Sequence, residues 1–115
     1  MNDRDIVSLK LIIKYCDEII GTVERFELNY NNFIDDYVTK NAINMCILQI
    51  GEVSGRLTDE FKLANTKMPW RAIIAMRNRT AHAYDEIDME IVWEIVENNI
   101  PELKLYCENI LNENK

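Results

Sequence analysis

Hydrophobic residues recur at intervals of three and four along most of the chain, the spacing that places them on one face of an α-helix. The first such run predicts a helix that Asp3 or Asp5 can cap and that extends to about Phe26 or Leu28. Its apolar positions are Ile6, Leu9, Ile13, Cys16, Ile20 and Val23. Residues 29–32 read Asn-Tyr-Asn-Asn and predict a turn, because asparagine tolerates left-handed backbone geometry.

The second run predicts a helix that begins between Asp35 and Lys40 and continues to about Ala64. Its expected inner face consists of Val38, Ala42, Met45, Cys46, Leu48, Gln49, Val53 and Leu57. Gly51 and Gly55 stand four residues apart on this helix. Small residues at that spacing permit a close backbone approach by a neighbouring helix.

A loop over residues 65–68 precedes the third predicted helix. Pro69 suits a first helical turn, where its missing N–H costs nothing, and the pattern continues from Trp70 to about Ala83 or Tyr84.

Two shorter helices complete the pattern. Asp88 is a candidate cap for the fourth helix, which continues through Ile95 and is interrupted at residues 98–99. Pro101 begins the fifth helix, which continues through Leu111. Helices joined by short loops pack mostly antiparallel. The sequence thus predicts an all-α fold, an antiparallel up-and-down helical bundle with an extra C-terminal helix.

Composition agrees with this prediction. The chain has 115 residues, and only two prolines and three glycines, too few turn-formers for a β-sandwich or barrel. A chain of this length supports one hydrophobic core, so we expect a single domain over residues 1–115.

Neither export nor a metal is indicated by the remaining composition. Three of the first five residues are charged, and no signal-type apolar run follows them. Charges also break the longer apolar stretches, so we expect a cytoplasmic protein that does not enter a membrane. The three cysteines, Cys16, Cys46 and Cys107, are odd in number and lack C-x-x-C spacing. We interpret them as small buried hydrophobes and expect no metal site.

Charge is distributed unevenly. The net charge is −7, yet the segment 62–84 contains no Asp or Glu and carries +5, which leaves −12 for the rest. Its basic residues are Lys62, Lys67, Arg71, Arg77 and Arg79. A basic stretch in an acidic chain indicates a local anion site, although a chance gap among acidic residues would look the same.

Arg77 breaks the helical pattern. On a helical wheel it falls in the middle of the apolar stripe of the third helix, with Asn78, His82 and Arg71 on its flank. An arginine at a core position is costly unless it is paired or faces water, so it marks either a functional site or a structural salt bridge, for example with Glu52. His82 is the only histidine, and no phosphate loop, serine-hydrolase motif or zinc motif competes with this segment.

The run 77–84, Arg-Asn-Arg-Thr-Ala-His-Ala-Tyr, has the form R-N-x-x-x-H-x-Y and resembles the R-x(4–6)-H motif of the HEPN superfamily. The resemblance is to its HepT-like branch and covers about residues 42 to 111. Further matches are I-G-E at 50–52, P-W at 69–70, I-D at 87–88, V-W at 92–93 and a segment like L-P-x-L at 99–103. Thr80-Ala81 and Ala83 depart from the common pattern without removing a chemical group.

The resemblance implies a HEPN-like bundle that forms a homodimer, with two R-x(4)-H motifs meeting in a cleft. It implies RNA cleavage without a metal or cofactor, with Arg77 and His82 as the catalytic residues. It also implies a partner, a minimal nucleotidyltransferase (MNT) antitoxin that transfers AMP onto the motif tyrosine, here Tyr84. The chain would then be the toxin of a toxin–antitoxin pair.

Supporting roles follow from the chemistry. We expect Asn78 to orient His82 and Glu52 to pair with Arg77. Flanking RNA phosphates would be contacted by Lys67, Arg71 and Arg79. One histidine per chain supplies either a base or an acid, so a pair of them requires two chains. A non-catalytic helical dimer that binds nucleotide or docks the transferase is the open alternative.

Overall fold

The structure, a computed structural model, describes residues 1–77 and 89–114. Every regular element in these two ranges is helical, which confirms the all-α prediction. In chain order the elements are α1 (Asp3–Arg25), α2 (Tyr30–Asp35), α3 (Tyr37–Ser54), α4 (Asp59–Ala64), α5 (helical over 70–77, where the first range ends), α6 (Met89–Glu94), a π-helical segment (Ile95–Asn99) and α7 (Ile100–Glu113). None of the helices described is long and apolar enough to cross a membrane.

The first helix is capped by Asn2 and not by an aspartate. The Asn2 side chain accepts a hydrogen bond of 2.9 Å from the backbone N–H of Asp5. Asp5 is itself buried, and its carboxylate accepts bonds of 2.8 and 2.7 Å from the N–H and the hydroxyl of Thr58. The predicted aspartate cap is therefore wrong, because Asp5 binds the chain segment that follows α3.

Residues 29–32 begin a helix where we predicted a turn. Asn29 and Asn32 form a capping box in which each side chain accepts a bond from the other's backbone N–H, at 2.7 and 3.0 Å. This reciprocal pair satisfies two N–H groups that a helix start otherwise leaves free. The result is the short helix α2, with Phe33 fully buried.

The long helix predicted through Ala64 is two helices. α3 ends at Ser54, with Gly55 as its C-cap. Thr58 then starts α4 by accepting a bond of 3.1 Å from the N–H of Phe61. A strong N-cap residue three positions after a glycine accounts for the interruption.

The predicted inner face of this helix is also largely wrong. Val38, Ala42 and Met45 are exposed, and Cys46, Leu48 and Gln49 are partly exposed, whereas Val53 and Leu57 are buried as expected. The buried positions of α3 are Thr39, Ile43, Asn44, Ile47, Ile50, Gly51, Val53 and Ser54. α3 carries two apolar stripes, and residue spacing alone does not tell which one the fold covers.

α1 packs against both α3 and α7. Its first turn meets Thr58, and farther along Glu18 accepts a long bond of 3.8 Å from the Cys46 thiol, so α1 and α3 run in opposite directions. On the other side Asp17 forms an ion pair of 2.6 Å with Lys104 of α7. These contacts enclose the fully buried side chains Leu9, Ile12, Cys16, Ile19, Ile43, Ile47, Ile50 and Cys107.

The cysteines are free thiols, and two of them are core residues as predicted. Burial raises the pKa of Cys16 far above its usual range and that of Cys107 to about 12. Cys46 is only partly buried, and desolvation with the nearby Glu18 raises its pKa to about 11. All three therefore stay protonated and weakly nucleophilic at neutral pH.

The predicted break at residues 98–99 is a widened turn inside a continuous helical run. The N–H of Ile100 donates to the carbonyl of Ile95, five residues back, so the segment is π-helical. Pro101 follows in the first turn of α7 and has no N–H to donate. The wider turn lets the helix continue into the proline without a loop. The proposed Asp88 cap lies outside the described residues.

Candidate functional site

The start of α5 is firmly anchored. Trp70 is buried, and its indole N–H donates a bond of 3.0 Å to the carbonyl of Asn65. Its ring contacts Phe61 of α4 and Tyr106 of α7, with centroids 5.6 and 6.2 Å apart. The first residue of α5 is thus held in place by α4 and α7.

Gly51 brings α3 and α5 into backbone contact. A Cβ at this position would lie 2.9 Å from the Cβ of Arg77, 3.1 Å from its N, and 3.2 Å from the carbonyl oxygen of Ile74. These distances leave no room for any side chain, which confirms the predicted close approach at Gly51. Gly55 has no such role, since its nearest neighbours are carbonyls of α3 itself.

The residue after Gly51 reaches the arginine. Glu52 Oε1 accepts a hydrogen bond of 3.1 Å from Arg77 Nη1. Ile50, on the other side of the glycine, is fully buried. Each residue of the I-G-E segment therefore has a separate contact. Ile50 fills the core, Gly51 allows the close approach of α5, and Glu52 binds the Arg77 guanidinium.

Arg77 lies at the edge of the buried face of α5, not in its middle. Trp70, Ile73 and Met76 are buried, whereas Ile74 and Arg77 are half-buried. The wheel prediction was wrong because the buried face is centred nearer Ile73. The side chains of Arg77 and its partner Glu52 are 42% and 44% exposed. Their ion pair is therefore accessible to solvent, and an anion can approach the guanidinium.

Two further cations of the basic stretch face solvent. Lys67 and Arg71 are exposed, and neither is paired with a carboxylate within 1–77 and 89–114. Lys62 differs, with its ammonium 3.8 Å from Asp59 one turn earlier. Lys67 and Arg71 are thus exposed cations near the start of α5, whereas Arg77, six residues after Arg71, is paired with Glu52.

The other predicted site residues lie outside the described residues. They are Asn78, Arg79, His82 and Tyr84. Arg77 is the last described residue before them, so the structure bears on the first residue of the motif and on its support from α3.

Asn44 is a polar residue that the sequence analysis did not single out. It lies two turns before Gly51 on the buried side of α3, and neither its side-chain oxygen nor its nitrogen has a hydrogen-bond partner in the described chain. A buried amide without a partner is unusual. Sequence spacing reveals it only when the phase of α3 is correct, because Asn44 then lies on the same buried face as Ile43, Ile47 and Ile50.

The sequence motif, the contacts of the I-G-E segment with α5 and the helical fold all agree with the results of sequence comparison. The chain matches the family model described as Ribonuclease HepT-like over residues 12–110. It belongs to the HepT-like ribonuclease family. No solved structure gives a significant match.

Curated relatives include proteins from archaea and bacteria. The chain is 34% identical over 89 residues to "Probable ribonuclease HepT" of Thermococcus cleftensis, covering 76% of this chain and 81% of the relative. It is 31% identical over 107 residues to a protein of Caldanaerobacter subterraneus named as an RNase, covering 93% and 94%. A protein of Methanocaldococcus jannaschii with the same kind of name is 31% identical over 114 residues, covering 98% and 93%.

The Gly51 contact predicts a large difference between two glycine-to-alanine changes. Gly51→Ala should destabilise the protein by about 1–3 kcal/mol, because the new methyl group collides with Arg77 Cβ and with the backbone of α5. Gly21→Ala is the matched control: nothing lies within 4 Å of its added Cβ, so better helix propensity should stabilise by up to about 1 kcal/mol. Urea unfolding measures both. Equal effects of the two substitutions would contradict the close approach.

Proposed function

We propose that this chain is a metal-independent endoribonuclease, the toxin component of a toxin–antitoxin pair, and that it works as a homodimer. Membership of the HepT-like ribonuclease family and the ribonuclease names of its relatives support the activity. The observation that carries the proposal is the Arg77 guanidinium. Glu52 holds it, it is half exposed, and it directly precedes the N-x-x-x-H-x-Y run.

The chemistry needs two proton transfers and one site of charge neutralisation. A base removes the proton of an RNA 2′-hydroxyl, whose oxygen attacks the adjacent phosphorus. The bond from phosphorus to the 5′-oxygen breaks, and an acid protonates that oxygen, leaving a cyclic phosphate and a 5′-hydroxyl. His82 suits both transfers, because the unperturbed pKa of histidine, about 6.5, lies near neutral pH.

Arg77 would neutralise the charge that develops on the phosphorane. A guanidinium donates bidentate hydrogen bonds to phosphate oxygens. Only one of its N–H groups is used, by Glu52, among contacts within the described residues. The remaining donors support this role, and the Glu52 bond favours one orientation of the side chain. Glu52 is accordingly a positioning residue in the proposal.

Three more cations and an amide complete the proposed site. Lys67 and Arg71, both exposed, would contact phosphates that flank the scissile one, together with Arg79. Asn78 would orient the imidazole of His82 by a side-chain hydrogen bond. These assignments rest on residue chemistry and on the family motif.

A homodimer is part of the mechanism. The chain contains one histidine, so separate base and acid histidines require two subunits. We propose a HEPN-like antiparallel up-and-down bundle over residues 1–115 that pairs so that two motifs face one cleft.

Regulation would come from an MNT-type nucleotidyltransferase antitoxin. In the proposed step the Tyr84 phenolic oxygen attacks the α-phosphorus of ATP and loses its proton, and pyrophosphate leaves. The product carries a phosphodiester anion and a purine seven residues after Arg77. That anion would compete with RNA for the guanidinium, and its bulk would exclude substrate.

Substitution of the histidine tests the activity. His82→Ala should reduce RNA cleavage by at least about 100-fold, the usual contribution of general acid–base catalysis, while RNA binding is retained. Cleavage is measured on labelled RNA with a chelator present, and binding by fluorescence anisotropy. Wild-type protein that binds RNA or nucleotide but cleaves nothing would instead favour a non-catalytic binding module.

Removal of the tyrosine hydroxyl tests the regulation. Tyr84→Phe removes the acceptor oxygen, so this variant should stay toxic in cells that also express the nucleotidyltransferase. Growth and the mass of the purified chain are the measurements, with wild type expected to gain one AMP. Full neutralisation of Tyr84→Phe by the transferase would contradict the proposed modification.

A further inference from the structure

A cavity of about 500 Å³ lies between α5 and the continuous helical run from α6 to α7. Its floor is apolar and consists of side chains that are at most 9% exposed: Met68, Ile73, Met76, Ile100 and Leu103. Pockets for small ligands enclose about 300–1,000 Å³ and are mostly apolar, with a few polar groups that fix orientation. The cavity therefore has the size and the floor of a ligand site, and the chemistry proposed at Arg77 does not use it.

The π-helical segment forms one wall of this cavity. Its first and last residues, Ile95 and Asn99, both line the cavity, and so do Glu94 before the segment and Glu102 after it. Glu94, Asn99 and Glu102 are exposed, and within the two described ranges neither carboxylate is paired with a cation. Turns of the π type recur at functional sites. This wall thus presents two carboxylates and one amide beside an apolar floor.

The opposite wall belongs to α5 and has no acidic residue. It consists of Pro69, Ala72 and Ala75, whose short side chains occupy little of the mouth. The exposed cation Arg71 stands one turn before Ala75, and residues four apart are neighbours on a helix surface. Arg71 therefore lies beside the α5 wall, across the cavity from the two carboxylates.

We propose that this cavity binds a guanine base of the RNA substrate, next to a phosphate that Arg71 contacts. The inference rests on the proposed function, because it names a base preference for that nuclease. Unpaired RNA bases are recognised by hydrogen bonds to their Watson–Crick edge and by contacts with their faces. Guanine is the base that presents two adjacent N–H donors there, N1–H and the 2-amino group, beside an acceptor oxygen.

The groups that line the cavity match this edge. A carboxylate accepts two hydrogen bonds side by side, so Glu94 or Glu102 can accept both N–H groups, and the Asn99 amide can donate to the guanine oxygen. The other three bases would turn an acceptor towards the carboxylate. The ring would lie on the floor, where Met68 and Met76 adapt to irregular shapes and make favourable contacts with aromatic rings.

Charge on the two sides of the cavity favours a nucleotide over a basic peptide. A basic peptide would suit the carboxylates, but Arg71 would repel it. A nucleotide suits both sides, since its phosphate is anionic and its base carries the N–H donors. Arg77 is not among the lining residues and pairs instead with Glu52 of α3. The base bound in the cavity would therefore belong to a nucleotide that flanks the scissile phosphate.

Removal of one amino group from the RNA tests the proposal. A short oligouridine with a single guanine is compared with the same RNA containing inosine, which lacks the 2-amino group, and binding is measured by fluorescence anisotropy. Wild type should bind the guanine RNA about tenfold more tightly, the usual effect of one hydrogen bond to a charged group. In the Glu94→Gln/Glu102→Gln variant this preference should disappear, because a glutamine accepts at only one oxygen.

A matched control separates the contact from the general effect of charge. Glu97 is exposed in the same π-helical segment but does not line the cavity. Glu97→Gln removes the same charge as each of the other substitutions and should keep the tenfold preference. Circular dichroism measures the folding of every variant.

Several results would overturn the proposal. These are equal binding of the two RNAs by wild type, no binding of either, or a preference that Glu94→Gln/Glu102→Gln retains. Loss of binding to a basic peptide or to the nucleotidyltransferase, with the RNA preference unchanged, would assign the cavity to a protein partner. RNA cleavage separates the two proposals. A guanine preference without cleavage rejects the ribonuclease alone, and cleavage without a guanine preference rejects the base site alone.

Discussion

A close approach between two helices at the candidate site is made possible by the absence of one side chain. At Gly51 the backbone of α3 comes so near to α5 that a Cβ would sit 2.9 Å from the Cβ of Arg77. Protein interiors cannot absorb such an overlap without moving a helix. This contact fixes the position of the Arg77 Cβ. It also puts Glu52, one residue after Gly51 on α3, within hydrogen-bond distance of the guanidinium.

The Arg77–Glu52 pair serves orientation more than stability. Both side chains are more than two-fifths exposed, and a pair so exposed contributes on the order of 0–1 kcal/mol to folding. A bond that is weak for the fold still restricts the rotamers of a long cation, and it leaves other guanidinium donors for an anion. Such an arrangement suits the proposed binding and release of an RNA phosphate group.

The helical class, the family and the contact at Gly51 could be predicted from the sequence, because they depend on local spacing and on a motif. The phase of α3 could not. Its two apolar stripes have the same periodicity, and the choice between Ile43-Ile47-Ile50 and Val38-Ala42-Met45 depends on which face α1 covers. The turn predicted at residues 29–32 was wrong for a related reason: whether Asn29 and Asn32 end a helix or begin one depends on their mutual hydrogen bonds. Arg77 was placed too deep in the core because the buried face of α5 turns towards Met76.

A double-mutant cycle on RNA cleavage examines the link between α3 and the motif most directly. Glu52→Ala in wild type should lower the cleavage rate by about tenfold while changing the free energy of unfolding by less than about 1 kcal/mol. In an Arg77→Ala background the same change should have almost no further effect, because Glu52 acts only through the guanidinium. Equal losses in both backgrounds, or no loss in either, would show that Glu52 does not position a working arginine.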